Sequence, residues 1–449
     1  MLKIRVLLVN AINKNRLLEM RYPPLNLAYL AAALRKNVDS SIEFKIITND
    51  FEETLNSFNP DVVGISSVTQ NYNRAKEYAK IAKAMGKKVL MGGVHISSLP
   101  QTMTDDMDIA VIGEGEETIV EVFKNNFKNL DKIKGIAHKK DGKIIINPPR
   151  ELTKDLDSIE PPARDLINIE DHTFMFTSRG CPYRCVFCSS SRFWKTVRFH
   201  SAERVIQEIK LLTEKYGVKY IEMFDDLFIA DKERLKKIAE LIKKENINVK
   251  IACSARANMV DDETMQLLKQ MNVQKIVLGL ESGNDRILTY LKGIDGRTTV
   301  TVEQNYNAVR LANKYGILVN AGLVIGSPDE TEKEVMDTYK LAATSGVNHF
   351  EAYVLTPLPG TPIWDLAKKK GFVSDDANFD WSKLDIMFGD NFKDAIVLSD
   401  VLTREKLHEI FMRFKKLQAK LRMKNAILHP IKNDVLGILK KIIFEGATI

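Results

Sequence analysis

Cysteine is scarce in this 449-residue sequence, and long apolar runs are missing. Only four cysteines occur, three of them between positions 181 and 188, which argues against a disulfide framework and for a reducing cytoplasm. No run of about eighteen apolar residues is present, so no transmembrane helix is expected. The apolar start of the chain is short and lacks a small-residue cleavage site, so we expect a first strand there rather than a signal peptide.

A strong excess of one charge is missing as well. The chain has 66 lysines and arginines against 59 aspartates and glutamates, and the net charge of +7 is spread along it. So mild an excess is typical of a solvated surface, and we expect no nucleic-acid partner. Hydrophobic residues make up an ordinary 45% of the chain, and its length predicts two or three domains.

The N-terminal third alternates apolar runs with amphipathic stretches. This alternation predicts a parallel sheet with helices on both faces, and ligands of such sheets bind beyond the carboxyl ends of the strands. The predicted strands are 3–11, 42–48, 61–67, 88–91 and 109–113, and the predicted helices are 25–36, 51–58, 72–85 and 117–127.

Small and polar residues follow three of these strands and leave room for a flat ligand. They are Ser66, Ser67, Thr69 and Gln70 after the third strand, Gly92 and Gly93 after the fourth, and Gly113, Glu114 and Gly115 after the fifth. The loop after the first strand contains no glycine, so a dinucleotide site of the G-x-G-x-x-G type is not expected. That loop also lacks the acidic residues of a response-regulator receiver.

Residues 133–146 predict a hairpin around Asp141-Gly142, and two proline pairs follow at 148–149 and 161–162. Paired prolines stiffen an extended connection. We therefore expect a first domain over 1–132, a hairpin and linker over 133–170, a second domain over 171–375 and a helical C-terminal region over 376–449.

The second domain repeats the strand–helix alternation six times. Its predicted strands are 174–177, 220–224, 250–254, 275–279, 318–325 and 349–354, and its predicted helices are 202–216, 232–243, 263–270, 301–314 and 332–345. In barrels built from such units the chemistry lies on the loops at the carboxyl ends of the strands.

Three cysteines lie on the loop after the first strand of this domain. Cys181, Cys185 and Cys188 form the pattern C-x3-C-x2-C, and Phe187 precedes the last of them. Thiolates select zinc or iron–sulfur clusters. A structural zinc site takes four protein ligands, which only His200 could complete here. A [4Fe–4S] cluster held by three cysteines instead leaves one iron without a protein ligand, where a small molecule can bind.

The cysteine pattern with its aromatic residue resembles the signature of the radical S-adenosylmethionine (SAM) enzymes. The resemblance implies a partial (β/α)6 TIM-like barrel and SAM bound to the open iron. One electron then cleaves SAM to a 5′-deoxyadenosyl radical. It also implies roles at the strand ends: Asp225 and Asp226 for the ammonium of SAM, Arg256 for its carboxylate, Glu281 for the ribose, and Phe187, Gly322, Val324 and Gly326 for adenine.

Each of these residues also has a purely structural interpretation. Either aspartate could cap the following helix, Glu281 could be a loop acid, and Arg256 could pair with one of these acids. Cys253 stands alone in a predicted strand and is expected to be a small core residue. With no second cysteine cluster, we expect one iron–sulfur cluster, unlike the methylthiotransferases.

Ser66-x-Val68 and Gly92-Gly93 resemble the S-x-L and G-G elements of cobalamin (B12)-binding domains. The resemblance implies a Rossmann-like, flavodoxin-like domain whose strand ends hold the nucleotide tail of cobalamin. The D-x-H-x-x-G element of that family is absent, which implies a cobalt with no histidine beneath it. Gln70, Asn71 or Tyr72 could then approach its lower face. The alternative is a flavodoxin-like domain that only packs, with His95 as a loop residue.

The two resemblances together imply a class B radical SAM methyltransferase-like enzyme that methylates an unactivated carbon through methylcobalamin. The alternatives are a B12-dependent cyclase or ring-modifying oxidase, and an accessory protein that carries a corrinoid or cluster without turnover. A small-molecule or lipid-like substrate and a ferredoxin or flavodoxin as electron donor are implied. In the tail, helices are predicted over 400–424 and 431–444. The second either packs across the barrel mouth or touches a hydrophobic substrate or a membrane edge.

Overall fold

The computed structural model describes residues 4–12, 23–38, 41–293, 296–384, 388 and 392–428. Its two large sheets confirm the predicted α/β architecture, with a Rossmann-like N-terminal sheet followed by a partial barrel sheet. No helix in the described ranges is both long and apolar enough to cross a membrane. The predicted helix 431–444 lies outside the described residues.

The first sheet has seven strands in the order β2-β1-β3-β4-β5-β6-β7. The first five strands are parallel to one another and follow the flavodoxin-like order. In that order, ligands bind beyond the carboxyl ends of β1 and β3, where the strand order reverses. The strands are β1 (Ile4–Ala11), β2 (Ile42–Ile47), β3 (Val62–Ser67), β4 (Lys88–Gly92), β5 (Ile109–Val111), β6 (Ile136–Lys140) and β7 (Lys143–Ile146). The helices beside them are α1 (Leu25–Asn37), α2 (Phe51–Phe58), α3 (Tyr72–Ala84), α4 (Val94–Ser98) and α5 (Glu116–Lys124).

The core of this sheet follows from its sequence pattern. All six residues of β3 are buried, as expected for a parallel strand that is covered on both faces. Leu8, Leu27 and Leu90 belong to one hydrophobic cluster that joins the sheet to its helices. At the end of β4, Gly93 has φ +101°, and a Cβ atom there would lie 2.4 Å from the carbonyl oxygen of Ser67. The close approach of these two strand ends therefore requires glycine.

The predicted hairpin around Asp141-Gly142 forms, and it extends the first sheet. Strand β6 pairs antiparallel with β5, Ile109 opposite His138, and β7 pairs with β6. The hairpin covers the edge of β5, which would otherwise present unpaired backbone groups.

The second sheet has six strands in the order β15-β14-β13-β12-β11-β8, as the predicted partial barrel requires. Its strands are β8 (His172–Met175), β11 (Tyr220–Met223), β12 (Lys250–Ala255), β13 (Val273–Glu281), β14 (Leu318–Ile325) and β15 (His349–Val354), and β9 (Ser178–Arg179) pairs separately with β10 (Arg198–Phe199). The helices are α6 (Ser190–Phe193), α7 (Ala202–Lys210), α8 (Lys232–Lys244), α9 (Asp262–Gln270), α10 (Asp285–Lys292), α11 (Val302–Lys314), α12 (Glu332–Thr344), α13 (Pro362–Lys369) and α14 (Arg404–Leu428). The sequence analysis did not predict β9, β10, α6, α10 or α13.

By its internal contacts the chain divides into two compact units. The first comprises Met1–Pro182, Cys188–Asp226 and Pro357–Leu384, and the second comprises Tyr183–Phe187, Leu227–Thr356 and Asp385–Ile449. The first unit thus contains the N-terminal sheet together with both ends of the cysteine loop. The predicted domain boundaries remain a prediction.

The carboxylate of Glu351, on the edge strand β15, binds side chains of α14 in the second unit. The carboxylate of Glu351 accepts hydrogen bonds from Gln418 at 2.7 Å and Arg422 at 3.1 Å, and it lies 2.9 Å from the ring of His349. Burial raises the pKa of Glu351, but the hydrogen bond and charge of His349, with Lys415 and Gln418, outweigh it and lower the pKa to about 2. The ionised form of Glu351 is therefore the one that stabilises the fold.

We expect Gly93→Ala to destabilise the protein, because the added Cβ meets the backbone of Ser67 in a conformation that alanine avoids. Strain of this kind costs about 1–3 kcal/mol. The matched control is Gly92→Ala, whose new Cβ has no neighbour nearer than 4.0 Å and should change stability little. Thermal unfolding measures both, and equal losses for the two variants would contradict the explanation.

Glu351 also predicts how stability depends on pH. The folded pKa of about 2 lies below the ordinary 4.5, so its contribution is complete above about pH 4.5 and is lost as the pH falls through about 2. We expect Glu351→Gln to lose on the order of 2 kcal/mol near neutral pH and to lack this part of the acid dependence. Urea unfolding across that range measures it. The exposed α14 residue Glu409 provides the control variant Glu409→Gln, which should keep the wild-type slope.

Candidate active site

The cysteine loop leaves β9 at a fixed position. Gly180 has φ +92°, and a Cβ atom there would lie 2.3 Å from the carbonyl oxygen of Thr196, so this turn requires glycine. Cys181, Cys185 and Cys188 follow as half-buried thiols that form no disulfide. Three accessible thiols from one short loop are the donor set that an iron–sulfur cluster uses.

No three His, Cys, Asp or Glu side chains in the described ranges converge closely enough for a single metal ion. A [4Fe–4S] cluster requires a different arrangement, because each thiolate binds its own iron atom. His200, the candidate fourth zinc ligand, places Nδ1 3.1 Å from the carboxylate of Asp157. Cys253 is buried in β12, where it packs as a small core residue.

Asp225 has a structural role that the sequence analysis did not assign. Its buried carboxylate accepts hydrogen bonds from the backbone N–H of Thr177 at 2.6 Å and of Ser178 at 3.1 Å, and from the Thr177 hydroxyl. Asp225 thereby joins the end of β11 to the start of the cysteine loop, and its expected contact with the SAM ammonium stays a prediction. Neither Asp225 nor Asp226 caps a helix, since Asp231 caps α8.

Asp226 differs from its neighbour because its side chain stays exposed. The Ser190 hydroxyl and the backbone N–H of Gly180 are near its carboxyl group. Gly180 directly precedes Cys181. Of the two aspartates, Asp226 is therefore the one available to a ligand beside the cysteine loop.

Glu114 also has a structural role in this region. Its buried carboxylate accepts hydrogen bonds from Arg179 at 2.6 Å, from Arg198 at 2.9 and 3.0 Å, and from the backbone N–H of Thr153 at 2.9 Å. Burial raises the pKa of Glu114, but the two guanidinium groups outweigh it and lower the pKa below its usual value. Glu114, three residues after β5, therefore holds β9 and β10, and its contact with a cofactor stays a prediction.

Arg179 is held on its other side by Glu116, whose carboxylate lies 2.6 Å away. Arg179 occupies the position before Gly180, so this ion pair fixes the entry to the cysteine loop. The sequence analysis missed both Arg179 and Arg198, because nothing in the spacing of single charges shows that distant strands bring them together.

The strand ends of the first sheet form a surface with room for a flat ligand. The Ser67 hydroxyl is buried and has no hydrogen-bond partner among the described residues, whereas Ser66 accepts a hydrogen bond from Asn26 at 2.9 Å. Val68 and Val94 follow β3 and β4 and stay 43% and 37% exposed. Unpartnered polar and exposed apolar groups at one sheet edge fit the amphipathic surface of cobalamin.

Of the other residues predicted to contact a ligand at these strand ends, some are partly open to solvent and others are buried or closely packed. Gly92 and Gly113 have no close neighbour at the Cβ position, and Gln70 is half-buried in the turn that follows β3. Thr69 is buried, and a Cβ atom on Gly115 would lie 2.9 Å from Leu30 of α1, so packing explains both.

Two residues considered near the cofactor belong to the core instead. Tyr72 is fully buried, and its hydroxyl donates to the Thr102 carbonyl at 3.0 Å. His95 stacks on Tyr72 with ring centroids 3.7 Å apart and contacts Trp381 edge-on. Burial, aided by the charge of Lys76, lowers the pKa of His95 to about 3. Tyr72 therefore cannot approach a cobalt atom, and His95 is a neutral packing residue.

In the second unit, Glu281 ends β13 in a strained conformation, with φ +60°. It is buried and lies 3.6 Å from the ammonium of Lys292, which donates to the Gly279 carbonyl at 2.5 Å. Burial raises the pKa of Glu281, while Lys292 and Arg256 oppose the shift. Strain at a buried strand end is typical of functional sites. The sequence analysis missed Lys292 because it missed helix α10.

The glycine strand β14 provides the other predicted contacts. A Cβ atom on Gly322 would lie 4.0 Å from Oε2 of Glu281, so the two expected ligand residues are neighbours. Val324 is buried. Gly326 donates its backbone N–H to Glu330 at 2.7 Å, which gives it a structural role after the strand.

Arg256 interacts with Glu281 through its charge, as the alternative interpretation expects, and its role toward the carboxylate of SAM stays a prediction. Its guanidinium donates to Thr299 at 2.7 Å and to Asn258 at 3.1 Å, and Nη1 lies 3.5 Å from Sγ of Cys185. Phe187, two residues after this cysteine, is half-buried.

Comparisons with known proteins agree with this description. Residues 175–342 match the model of the Radical SAM superfamily, and residues 16–123 match that of B12 binding domains. An uncharacterized methyltransferase of Pyrococcus horikoshii is 36% identical over 77% of this chain and 78% of its own. An anaerobic magnesium-protoporphyrin IX monomethyl ester cyclase of Cereibacter sphaeroides is 26% identical over 95% of this chain and 72% of its own.

Among solved structures, the radical SAM methyltransferase TsrM of Kitasatospora setae, with cobalamin and a [4Fe–4S] cluster bound, superposes with a TM-score of 0.69. The match covers 82% of this chain and 75% of TsrM at 19% identity, and so it supports the fold.

We expect Glu114→Gln to destabilise the protein by about 3–5 kcal/mol, because it leaves the buried Arg198 without a carboxylate partner. Chemical unfolding measures the loss. The control is Glu117→Gln, which removes an exposed partner of Arg150 and should cost about 1 kcal/mol or less. Similar losses for the two variants would show that the Glu114 ion pairs do not hold this region together.

Proposed function

This chain belongs to the radical SAM proteins that carry a B12-binding domain, and on that premise we propose that it methylates an unactivated carbon of its substrate. Its cofactors are a [4Fe–4S] cluster, SAM and cobalamin. When bound, the cluster and SAM supply a carbon-centred radical, and cobalamin supplies the methyl group. The protein must hold these groups apart at a fixed distance and keep water away from them.

The observation that carries the proposal is the buried ion pair between Glu114 and Arg179. Glu114 follows β5 of the B12-type sheet, and Arg179 stands two positions before Cys181, so one contact joins the two candidate cofactor regions. The first compact unit contains this contact and both ends of the cysteine loop, with Cys181 and Cys188, whereas Cys185 belongs to the second unit. A protein that only carried a corrinoid or a cluster would have no need of such a connection.

We assign the following roles to the residues of the site. Cys181, Cys185 and Cys188 bind the cluster, Asp226 binds the ammonium of SAM, and Glu281 binds its ribose. Phe187, Gly322 and Val324 contact adenine. At the edge of the first sheet, Ser66, Ser67, Gln70, Gly92, Gly93 and Gly113 contact cobalamin. Asp225, Glu114 and Gly326 hold this arrangement in place.

The relatives favour methyl transfer over ring closure. The Pyrococcus relative, named a methyltransferase, is 36% identical, whereas the cyclase is 26% identical. Because the cyclase matches 95% of this chain, a B12-dependent cyclisation is the second candidate function. The substrate is a small or lipid-like molecule, and a ferredoxin or flavodoxin supplies the electron.

The test is anaerobic turnover of the reconstituted enzyme with methyl-labelled SAM and fractionated cell extract. We expect label in a product, with S-adenosylhomocysteine and 5′-deoxyadenosine formed together. The control variant, with alanine at all three loop cysteines, should form no 5′-deoxyadenosine. Deoxyadenosine without S-adenosylhomocysteine or label transfer would favour the cyclase. No SAM cleavage under a strong reductant would leave only a carrier role.

A further inference from the structure

The middle of the cysteine loop contacts a fixed arginine. Nη1 of Arg256 lies 3.5 Å from Sγ of Cys185, a distance at which an N–H group donates a hydrogen bond to sulfur. Arg256 follows β12 and is only 6% exposed. A buried guanidinium beside a cysteine that the family uses as an iron ligand acts on the chemistry of that ligand.

The position of this guanidinium is strongly determined. Nε donates to Oδ1 of Asn258 at 3.1 Å, and Nη2 donates to the Thr299 hydroxyl at 2.7 Å, so every nitrogen has a defined partner. The Thr299 hydroxyl itself donates to the Lys292 carbonyl at 2.5 Å. A planar fork held at Nε and Nη2 leaves Nη1 directed at the sulfur of Cys185.

The face of the guanidinium is held as well. Its central carbon lies 3.8 Å from the ring centroid of Tyr183, which is a cation–π contact. Asn258 donates to the Tyr183 hydroxyl at 3.1 Å and thereby connects the ring to the same network. Tyr183 and Cys185 belong to one short stretch of the loop, so the arginine and the cysteine are positioned together.

A backbone contact also fixes this stretch of the loop. The N–H of Val186 donates to the Leu291 carbonyl at 3.0 Å, near the end of α10. The segment after β12, helix α10, the segment before α11 and the cysteine loop therefore all help to position Arg256 beside Cys185.

We propose that Arg256 donates a charge-assisted hydrogen bond to the Cys185 thiolate and thereby raises the reduction potential of the cluster. Reduction adds one electron from an external donor, and no bond forms or breaks in this step. The added negative charge spreads onto the sulfur ligands, so a positive hydrogen-bond donor stabilises the reduced form more than the oxidised form. Thr299 and Asn258 position the guanidinium.

This inference rests on Cys185 as a cluster ligand, as assigned under Proposed function, and is independent of methyl transfer. The two parts can fail separately. If the reconstituted wild-type chain takes up no cluster, the ligand assignment is wrong. If it takes up the cluster but Arg256 has no effect on the potential, only the present inference is wrong.

The test compares Arg256→Met, Arg256→Lys and wild type in the full chain, with the cluster reconstituted and SAM, cobalamin and substrate left out. Redox titration followed by electron paramagnetic resonance gives the midpoint potential, and iron analysis gives the occupancy. We expect Arg256→Met to shift the potential by about 59 mV to more negative values, a tenfold change in a one-electron equilibrium. Arg256→Lys should shift it less, because it keeps the charge and loses the fork.

The matched control is Arg310→Met, which removes an exposed arginine of α11 in the same unit and should leave the potential unchanged. An unchanged potential in fully loaded Arg256→Met overturns the inference, even if its affinity for SAM falls. If Arg256→Met takes up little iron, Thr299→Val decides the question. It loosens the guanidinium without removing the charge, so a negative shift supports the inference and an unchanged potential overturns it.

Discussion

The carboxylate of Glu114 is the group on which the first compact unit depends. It is buried, and it binds Arg179 and Arg198 from a separate strand pair. Leaving this buried carboxylate without its partners would cost more free energy of folding than the ion pairs contribute. The stabilising effect of each of the three side chains therefore depends on the other two. Because Arg179 precedes Gly180 and Cys181, the electrostatic requirement of one acid sets the start of the cysteine loop.

The loop is held by different means along its length. At its start, Asp225 accepts two backbone N–H groups, and Gly180 permits a turn that no other residue fits. In the second unit, the Tyr183 ring and the Arg256 guanidinium stack on one another. These contacts fix the backbone of the loop that carries Cys181, Cys185 and Cys188, the three proposed ligands.

For acidic residues at the carboxyl ends of strands, the position in the sequence did not reveal whether the side chain binds a ligand or anchors a loop. Asp225 and Asp226 are neighbours, yet one is buried under three hydrogen bonds and the other is exposed. Glu114 follows β5 and Glu281 ends β13, yet Glu114 holds two arginines, whereas Glu281 lies beside Lys292 on a strained backbone. Ligand binding and loop anchoring use the same residue types at the same positions, so the pattern alone cannot separate them.

The sequence by itself determined the fold class, the strands and long helices of both sheets, and the cysteine loop with its chemistry. These features depend on local periodicity and on spacing along the chain, which a single sequence contains. Only the tertiary structure decided that the hairpin extends the first sheet, that Arg179 and Arg198 bind Glu114, and that Lys292 lies beside Glu281. Such roles depend on burial and on contacts between residues up to 84 positions apart, as between Glu114 and Arg198, which no local pattern encodes.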